Sequence, residues 1–230
     1  TKSEITAIND DSATIYNYNQ KVSSQITAND IENYVSLAEK INGRDDVKVV
    51  NIQHEFGIFG GIWGDYLIPF LQVIKKPVVV TFHSVLPDPD DYLKSIVKII
   101  TDRAAVVVVM NEFSRNLLVN AYGARGSKIQ LIPHGIPGTA YEPSEKYKAG
   151  LGLEGKFVLS TFGLLSPGKG IQYAIRALPK VLARFPNTVY LVLGETHPNV
   201  RRDRGEEYRN YLHELVEDLN LNNYVKFYNK

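Results

Sequence analysis

Short β-branched runs alternate with stretches of helical period along most of this 230-residue chain. Val47–Ile52, Val78–Phe82, Ala105–Val109 and Ile129–Ile132 have strand length and are dense in valine and isoleucine, the pattern of strands buried on both faces. Between them, Ile31, Tyr34, Val35, Ala38 and Ile41 fall on one helical face. That helix opens on Asn29-Asp-Ile-Glu32, a capping-box-like start, and stops at Gly43. Further helices are predicted over Trp63–Ile74, with Pro69 kinking it near its middle, over Tyr92–Ile100 and over Glu112–Tyr122. The alternation pauses and then restarts: strand Phe157–Phe162, helix Ile171–Phe185, strand Val189–Leu193, helix Glu206–Leu219, strand Tyr224–Phe227. On the last helix Tyr208, Leu212, Leu215 and Leu219 form the apolar stripe. Strands alternating with helices imply right-handed crossovers and parallel, doubly wound sheets, so the expected class is α/β.

The pause, 133–155, holds Pro133, Gly135, Pro137, Gly138, Pro143, Gly150, Gly152 and Gly155 with little apolar periodicity. It divides the chain into a first domain over 1–137, a linker over 138–155 and a second domain over 156–230. The second unit stops after three strands and two helices, which makes a thin domain. The first starts abruptly, with Ile5–Ile8 its only candidate leading strand. Both units are therefore expected to be incomplete, and the chain to be an internal piece of a longer protein.

Composition narrows the chemistry. With 26 basic and 25 acidic residues the formal charge is +1, so no nucleic-acid partner is expected. Arg201, Arg202 and Arg204, with Asp203 among them, read as a solvated loop. The absence of cysteine excludes disulfides, thiolate metal sites and a cysteine nucleophile. Thr1-Lys-Ser-Glu is no signal peptide, and the longest apolar run, Ala104–Met110, falls far short of the ~20 residues of a membrane helix. A soluble, cytoplasmic chain is expected.

The strongest chemical signal is Gly163-Leu-Leu-Ser-Pro-Gly-Lys-Gly170, between a predicted strand and a predicted helix. A helix N-terminus offers unpaired N–H groups and roughly half a positive charge, and Lys169 adds a full one, which is a recipe for holding phosphate. The P-loop pattern G-x-x-x-x-G-K-[ST] competes, but position 170 is glycine where a hydroxyl must meet Mg²⁺. A tight turn with a solvated lysine is the plain alternative. Ligands of open α/β sheets bind beyond the carboxyl ends of the strands. His54 and Glu55 follow one strand, ahead of the flexible loop Phe56–Gly61 with Gly60 and Gly61; His83 closes the next; Asn111 and His134 close two more; Glu195 and His197 close one in the second unit. Each has a structural alternative: Asn111 as a helix N-cap, His54 as a hydrogen-bonded core histidine, Glu195-Thr-His197-Pro198 as a turn. No zincin spacing, carboxylate cluster or nucleophile elbow is present, so no metal is expected.

These motifs together resemble the GT-B-fold retaining glycosyltransferases of family 4, group 1 type. Gln53-His-Glu-Phe-Gly-Ile-Phe-Gly-Gly61 is similar to the acceptor-side loop of one bacterial branch, Thr81-Phe-His-Ser84 to the family's strand-end histidine, and Ile132-Pro-His-Gly-Ile-Pro137 to its entry into the hinge. Thr161–Ile171 is similar to its donor-phosphate loop, and Gly194-Glu-Thr-His-Pro198 to the strand end beyond. The resemblance implies two Rossmann-like units, acceptor on the first and nucleotide sugar on the second. It implies transfer with retention of configuration from a UDP- or GDP-linked donor, with no cofactor and no metal. Gly163, Ser166, Gly168, Lys169 and Gly170 would hold the diphosphate, and His83 would meet the sugar near the reacting carbon. His54, Glu55, Phe56, Gly60, Gly61, Asn111, His134 and Glu195 would line the acceptor side and cleft. The acceptor, a sugar, lipid or glycan, is left open, as is peripheral membrane association of the parent protein.

Two departures stand out. The family's arginine five positions before the lysine is Leu164 here. Its Glu-x7-Glu motif is expected beyond Lys230; Glu206 and Glu214 share that spacing but read as solvated charges on an exposed helix face. The fragment is thus expected to be inactive. A non-catalytic nucleotide- or sugar-binding module, and a P-loop-like phosphohydrolase, remain as alternatives.

Overall fold

Every strand in the chain pairs in parallel. In the computed structural model, which describes residues 2–11 and 13–229, three sheets form. β1 (Ile5–Asn9) pairs with β2 (Val22–Thr27). β3 (Val50–His54), β4 (Val78–Phe82), β5 (Val106–Val109) and β6 (Ile129–Leu131) make a four-stranded sheet in that order. β7 (Phe157–Phe162), β8 (Thr188–Leu193) and β9 (Val225–Tyr228) make the third. The parallel α/β class predicted from the alternation is what the chain adopts. The chain divides into two compact units, Thr1–Pro137 and Gly138–Lys230; the terminal residues Thr1 and Lys230, where the predicted domains begin and end, lie outside the described residues, as does Ser12.

In the first unit α1 (Ile31–Asn42) starts where the Asp30 carboxylate accepts the Glu32 N–H at 3.0 Å. α3 (Asp91–Arg103) is capped in the same way by Asp90, and α4 (Glu112–Asn120) by Asn111. α2 is shorter than the apolar period suggests, Leu67–Val73. Trp63 and Gly64 turn with φ of 56° and 80°, which ends any helix there. Pro69 therefore falls in the first turn, where a missing N–H costs nothing, and it does not kink a helix middle. Tyr34, Phe82, Leu93, Ile96, Ile100 and Leu118 are the largest fully buried side chains among the described residues of this unit.

The second unit holds α6 (Ile171–Arg184), α8 (Glu207–Asp218) and two helices that the periodicity did not reveal, α5 (Ser144–Ala149) and α7 (Pro198–Arg204). β8 is buried on both faces, as its unbroken apolar run requires. Tyr190 and Val192 pack with Ile171, Ile175 and Leu178 of α6 and Leu212 and Val216 of α8. Val189 and Leu191 pack on Leu153, so part of the stretch read as a linker is anchored on this sheet. Each fully buried leucine or isoleucine here contributes about 1.5–3 kcal/mol. Leu219, placed on the stripe by spacing, is exposed beyond the helix end, and Val216 takes its share of the face. Among the described residues no helix is long and apolar enough to cross a membrane.

Candidate functional site

Two groups of residues meet the requirements of a site, one in each unit. In the first, the carboxyl ends of β3 and β4 bring polar side chains into one network. The His83 backbone N–H donates to the His54 carbonyl at 3.0 Å, which continues the ladder one residue past β4. The His83 ring Nε2 lies 2.8 Å from Gln53 Oε1. Ser84 Oγ donates to Glu55 Oε1 at 2.6 Å, and the Phe56 N–H reaches the same oxygen at 3.2 Å. Beyond β6 the His134 ring stands edge-on to His83, centroids 6.0 Å apart, with Nδ1 2.7 Å from the Gly135 carbonyl. His83, Glu55 and His134 are thus brought together with Gln53 and Ser84. Those last two supply the hydrogen bonds and were missed as site residues. The signal for Gln53 was strand alternation: Asn51 and Gln53 share the exposed face of β3.

His54 is not part of that surface. β3 runs two residues past its apolar run, to His54, and the two-residue strand period puts His54 on the same inward face as Ile52. The His54 ring is fully buried, stacked on Phe59 at 5.5 Å and against Phe56 and Phe82 at 5.0 and 4.6 Å. Neither ring nitrogen has a hydrogen-bond partner in the structure, unlike the hydrogen-bonded core histidine considered from sequence. Burial, reinforced by the neighbouring His83, pushes its pKa from 6.5 down to about 4, so the ring is neutral. Asn111 serves as the α4 cap, its Oδ1 accepting the Ser114 N–H at 2.8 Å.

The loop after β3 is fixed rather than flexible. Gly60 lies against the β2–α1 turn; a Cβ there would come within 2.7 Å of the Ala28 carbonyl carbon and closer to its oxygen. The buried Tyr34 hydroxyl ties the two segments, donating to Ala28 O at 2.9 Å and accepting the Gly60 N–H at 3.1 Å. Gly61, at φ 79°, packs on the Asp65 carboxylate. Phe56 is buried and serves the core.

In the second unit the strand ends are backbone. Gly194 has φ 143°, and a Cβ on it would lie 2.9 Å from the Gly163 carbonyl carbon, so the loops after β7 and β8 touch main chain to main chain. The ladder continues through them: Leu165 N–H donates to Glu195 O at 2.8 Å and His197 N–H to Leu165 O at 2.9 Å. Leu165 is buried, which sets Ser166 at the edge of a single 3₁₀ turn, Pro167–Lys169. Gly170 follows at φ 66° and is the N-cap of α6, with no side chain over the first-turn N–H groups. Lys169 is exposed beside it. Gly163, Ser166, Gly168, Lys169 and Gly170 thus form one continuous turn feeding an uncapped helix start.

Glu195 points elsewhere. It stands 3.6 Å from Arg201 of α7, both exposed, and the segment after it is a turn in which His197 caps α7 with Pro198 at the first helical position. Glu206 is no solvated helix-face charge: it precedes α8, accepts from Thr196 Oγ1 and pairs with Arg201 at 2.6 Å, and those bonds lower its pKa.

The family model for Glycosyltransferase Family 4 matches residues 31–137, and that for Glycosyl transferases group 1 matches residues 143–230. The Anabaena protein HepE, crystallised with UDP, is similar in structure with a TM-score of 0.66 at 19% identity, over 90% of this chain and 55% of that one. A glycosyltransferase of Rickettsia africae gives 0.65 at 20% identity, over 90% and 55%. An uncharacterized glycosyltransferase of Methanocaldococcus jannaschii is 24% identical over 127 residues, 53% of this chain and 29% of that protein. The chain therefore spans little more than half the length of these two solved structures, and the match covers less than a third of the curated relative. Sheets and neighbours define the class, the Rossmann-like α/β fold of GT-B proteins. The chain belongs to the GT-B group 1 glycosyltransferases.

Proposed function

We propose that the chain carries the donor turn and the strand-end histidine of an enzyme that transfers a sugar from a nucleotide-sugar donor to an acceptor with retention of configuration. The observation that carries the reading is the start of α6. A glycine cap leaves the first-turn N–H groups open, the helix dipole adds partial positive charge, and Lys169 stands beside them. These groups neutralise the diphosphate as it leaves, the largest electrostatic contribution available, and no metal is required of them. His83, oriented through Nε2 by Gln53, meets the transferred sugar; Glu55, His134 and the Gly60–Gly61 loop frame the acceptor side. A UDP-linked donor is favoured because HepE was crystallised with UDP and with UDP-glucose.

Calorimetric titration with UDP-glucose, GDP-mannose and Mg-ATP tests this. Binding of a sugar nucleotide in the presence of EDTA, weakened in Lys169→Ala, supports the donor turn. Mg-ATP binding in preference would sink it in favour of a phosphohydrolase. Sugar-nucleotide binding with no release of nucleoside diphosphate in the presence of acceptors would mark a binding module.

A further inference from the structure

The start of α8 grips the loop after β8 at two points, and the backbone of the Gly163–Gly170 turn rests on that loop. We propose that Arg209 is a positioning residue for this turn. It sets where Gly194 lies and, through Gly194, where the turn presents its N–H groups. The hold on the turn depends on the second unit alone; its consequence for donor binding rests on the glycosyltransferase reading.

Arg209 is the third residue of α8 and is half-buried. Its Nη1 donates to the Gly194 carbonyl at 3.3 Å, and its Nη2 donates to Asn229 Oδ1 just beyond β9. The guanidinium lies over the Phe227 ring, 5.8 Å from its centre. One planar group thus joins the carboxyl ends of β8 and β9. Its fork aims N–H groups at two acceptors in one plane, which the point charge of a lysine does not do. Bonds from a charged donor are also roughly twice as strong as neutral ones. Three residues earlier Glu206 accepts from the buried Thr196 hydroxyl, so the helix start holds the same loop again two residues past Gly194.

That loop carries the turn. Gly194 presses on Gly163 so closely that a Cβ on it would lie 2.9 Å from the Gly163 carbonyl carbon. The Gly163 N–H donates to Leu193 O at 3.0 Å, the Leu165 N–H to Glu195 O at 2.8 Å and the His197 N–H to Leu165 O at 2.9 Å. Leu165 and Thr196 therefore pair as a parallel bridge, one residue before Ser166. Beyond Leu165 the backbone bonds are short-range: Lys169 N–H to Ser166 O at 3.0 Å and Gly170 N–H to Pro167 O at 3.1 Å. Pro167, Gly168 and Lys169 are exposed, so packing does little to fix them. The turn inherits its position from Gly163 and Leu165. A displacement of Gly194 passes straight to it, because close-packed main chain transmits strain.

The test is amide hydrogen exchange by NMR, with UDP-glucose titration, in wild type, Arg209→Met and Arg209→Lys. Methionine keeps a side chain over Phe227 and removes both hydrogen bonds. In Arg209→Met exchange should rise about tenfold or more at Leu165, Lys169 and Gly170. The Tyr190 N–H, which donates to Tyr224 O at 2.7 Å within the sheet, should keep its protection. The Kd for UDP-glucose should rise about tenfold, as misplaced binding groups cost. Arg209→Lys, which keeps the charge and loses the fork, should show the same pattern more weakly and carries the test if methionine prevents folding. Equal loss of protection in the turn and at Tyr190 would make Arg209 a general stability residue and overturn the proposal. Wild-type exchange of the turn in both variants would overturn it as well, and with donor binding intact would sink this inference alone. Faster exchange confined to the turn, with UDP-glucose binding unchanged or absent from wild type, sinks the donor reading alone.

Discussion

At the ends of β3 and β4 the chain places side chains that hold one another: His83 on Gln53, Ser84 on Glu55. At the ends of β7 and β8 it places glycines whose main chains touch, then a turn that opens a helix on Gly170. Both lie where a parallel sheet presents ligands, yet one presents directed hydrogen-bonding groups and the other presents backbone dipole and one cation. A side-chain network can be tuned residue by residue. A backbone cradle fails through bulk at a glycine, because no rotamer moves main chain aside.

Five changes would break or sharpen that contrast. Gly194→Ala should cost the second unit about 3 kcal/mol or more, from a clash on Gly163 plus a left-handed φ, and denaturant unfolding should show it with the first unit unaffected. An unfolding curve like wild type would mean the two loops do not touch. Next comes pH. The folded pKa of His54 is about 4 against 6.5 when unfolded, so folding keeps the ring unprotonated. The stability this represents is complete above pH 6.5 and falls by about 3 kcal/mol as pH drops to 4. His54→Leu should flatten that slope; an equal slope in the variant refutes the assignment.

Lys169→Ala should weaken donor binding by about 1.5–3 kcal/mol, one charge-assisted contact, while melting at the wild-type temperature. His83→Ala should lose about tenfold of any preference for UDP-glucose over UDP with little change in stability; early melting with the preference intact would make His83 structural. Asn111→Ala should cost about 1 kcal/mol through the lost α4 cap and leave donor affinity unchanged, in contrast to Lys169.

How well each element could be read follows from what its pattern records. Val78–Phe82 and Phe157–Phe162 fold over the residues predicted, because runs rich in β-branched and aromatic residues at strand length have few alternatives in an α/β chain. β2 escaped notice because Val22-Ser-Ser-Gln-Ile-Thr27 is mostly polar, and only Ile26 in it is buried. α5 has no buried residue, and α7 is a single short helix launched by His197 and Pro198; neither has an apolar stripe to detect. The Gly163–Gly170 turn was legible because glycine and lysine spacing is local. The His83 network was legible only in part: strand ends name the neighbourhood, not the partners.

Apolar periodicity and glycine placement, both local properties, were enough to determine the parallel α/β class, the strands that bury a core, and the turn ahead of α6. Tertiary structure alone decided that His54 faces Phe56, Phe59 and Phe82 instead of the polar edge, and that Gln53 and Ser84 orient their neighbours. Where a strand stops decides whether a side chain still follows its two-residue alternation, as His54 does in β3, and residues from separate strands become neighbours only through register. Those are long-range facts, which no window of sequence contains.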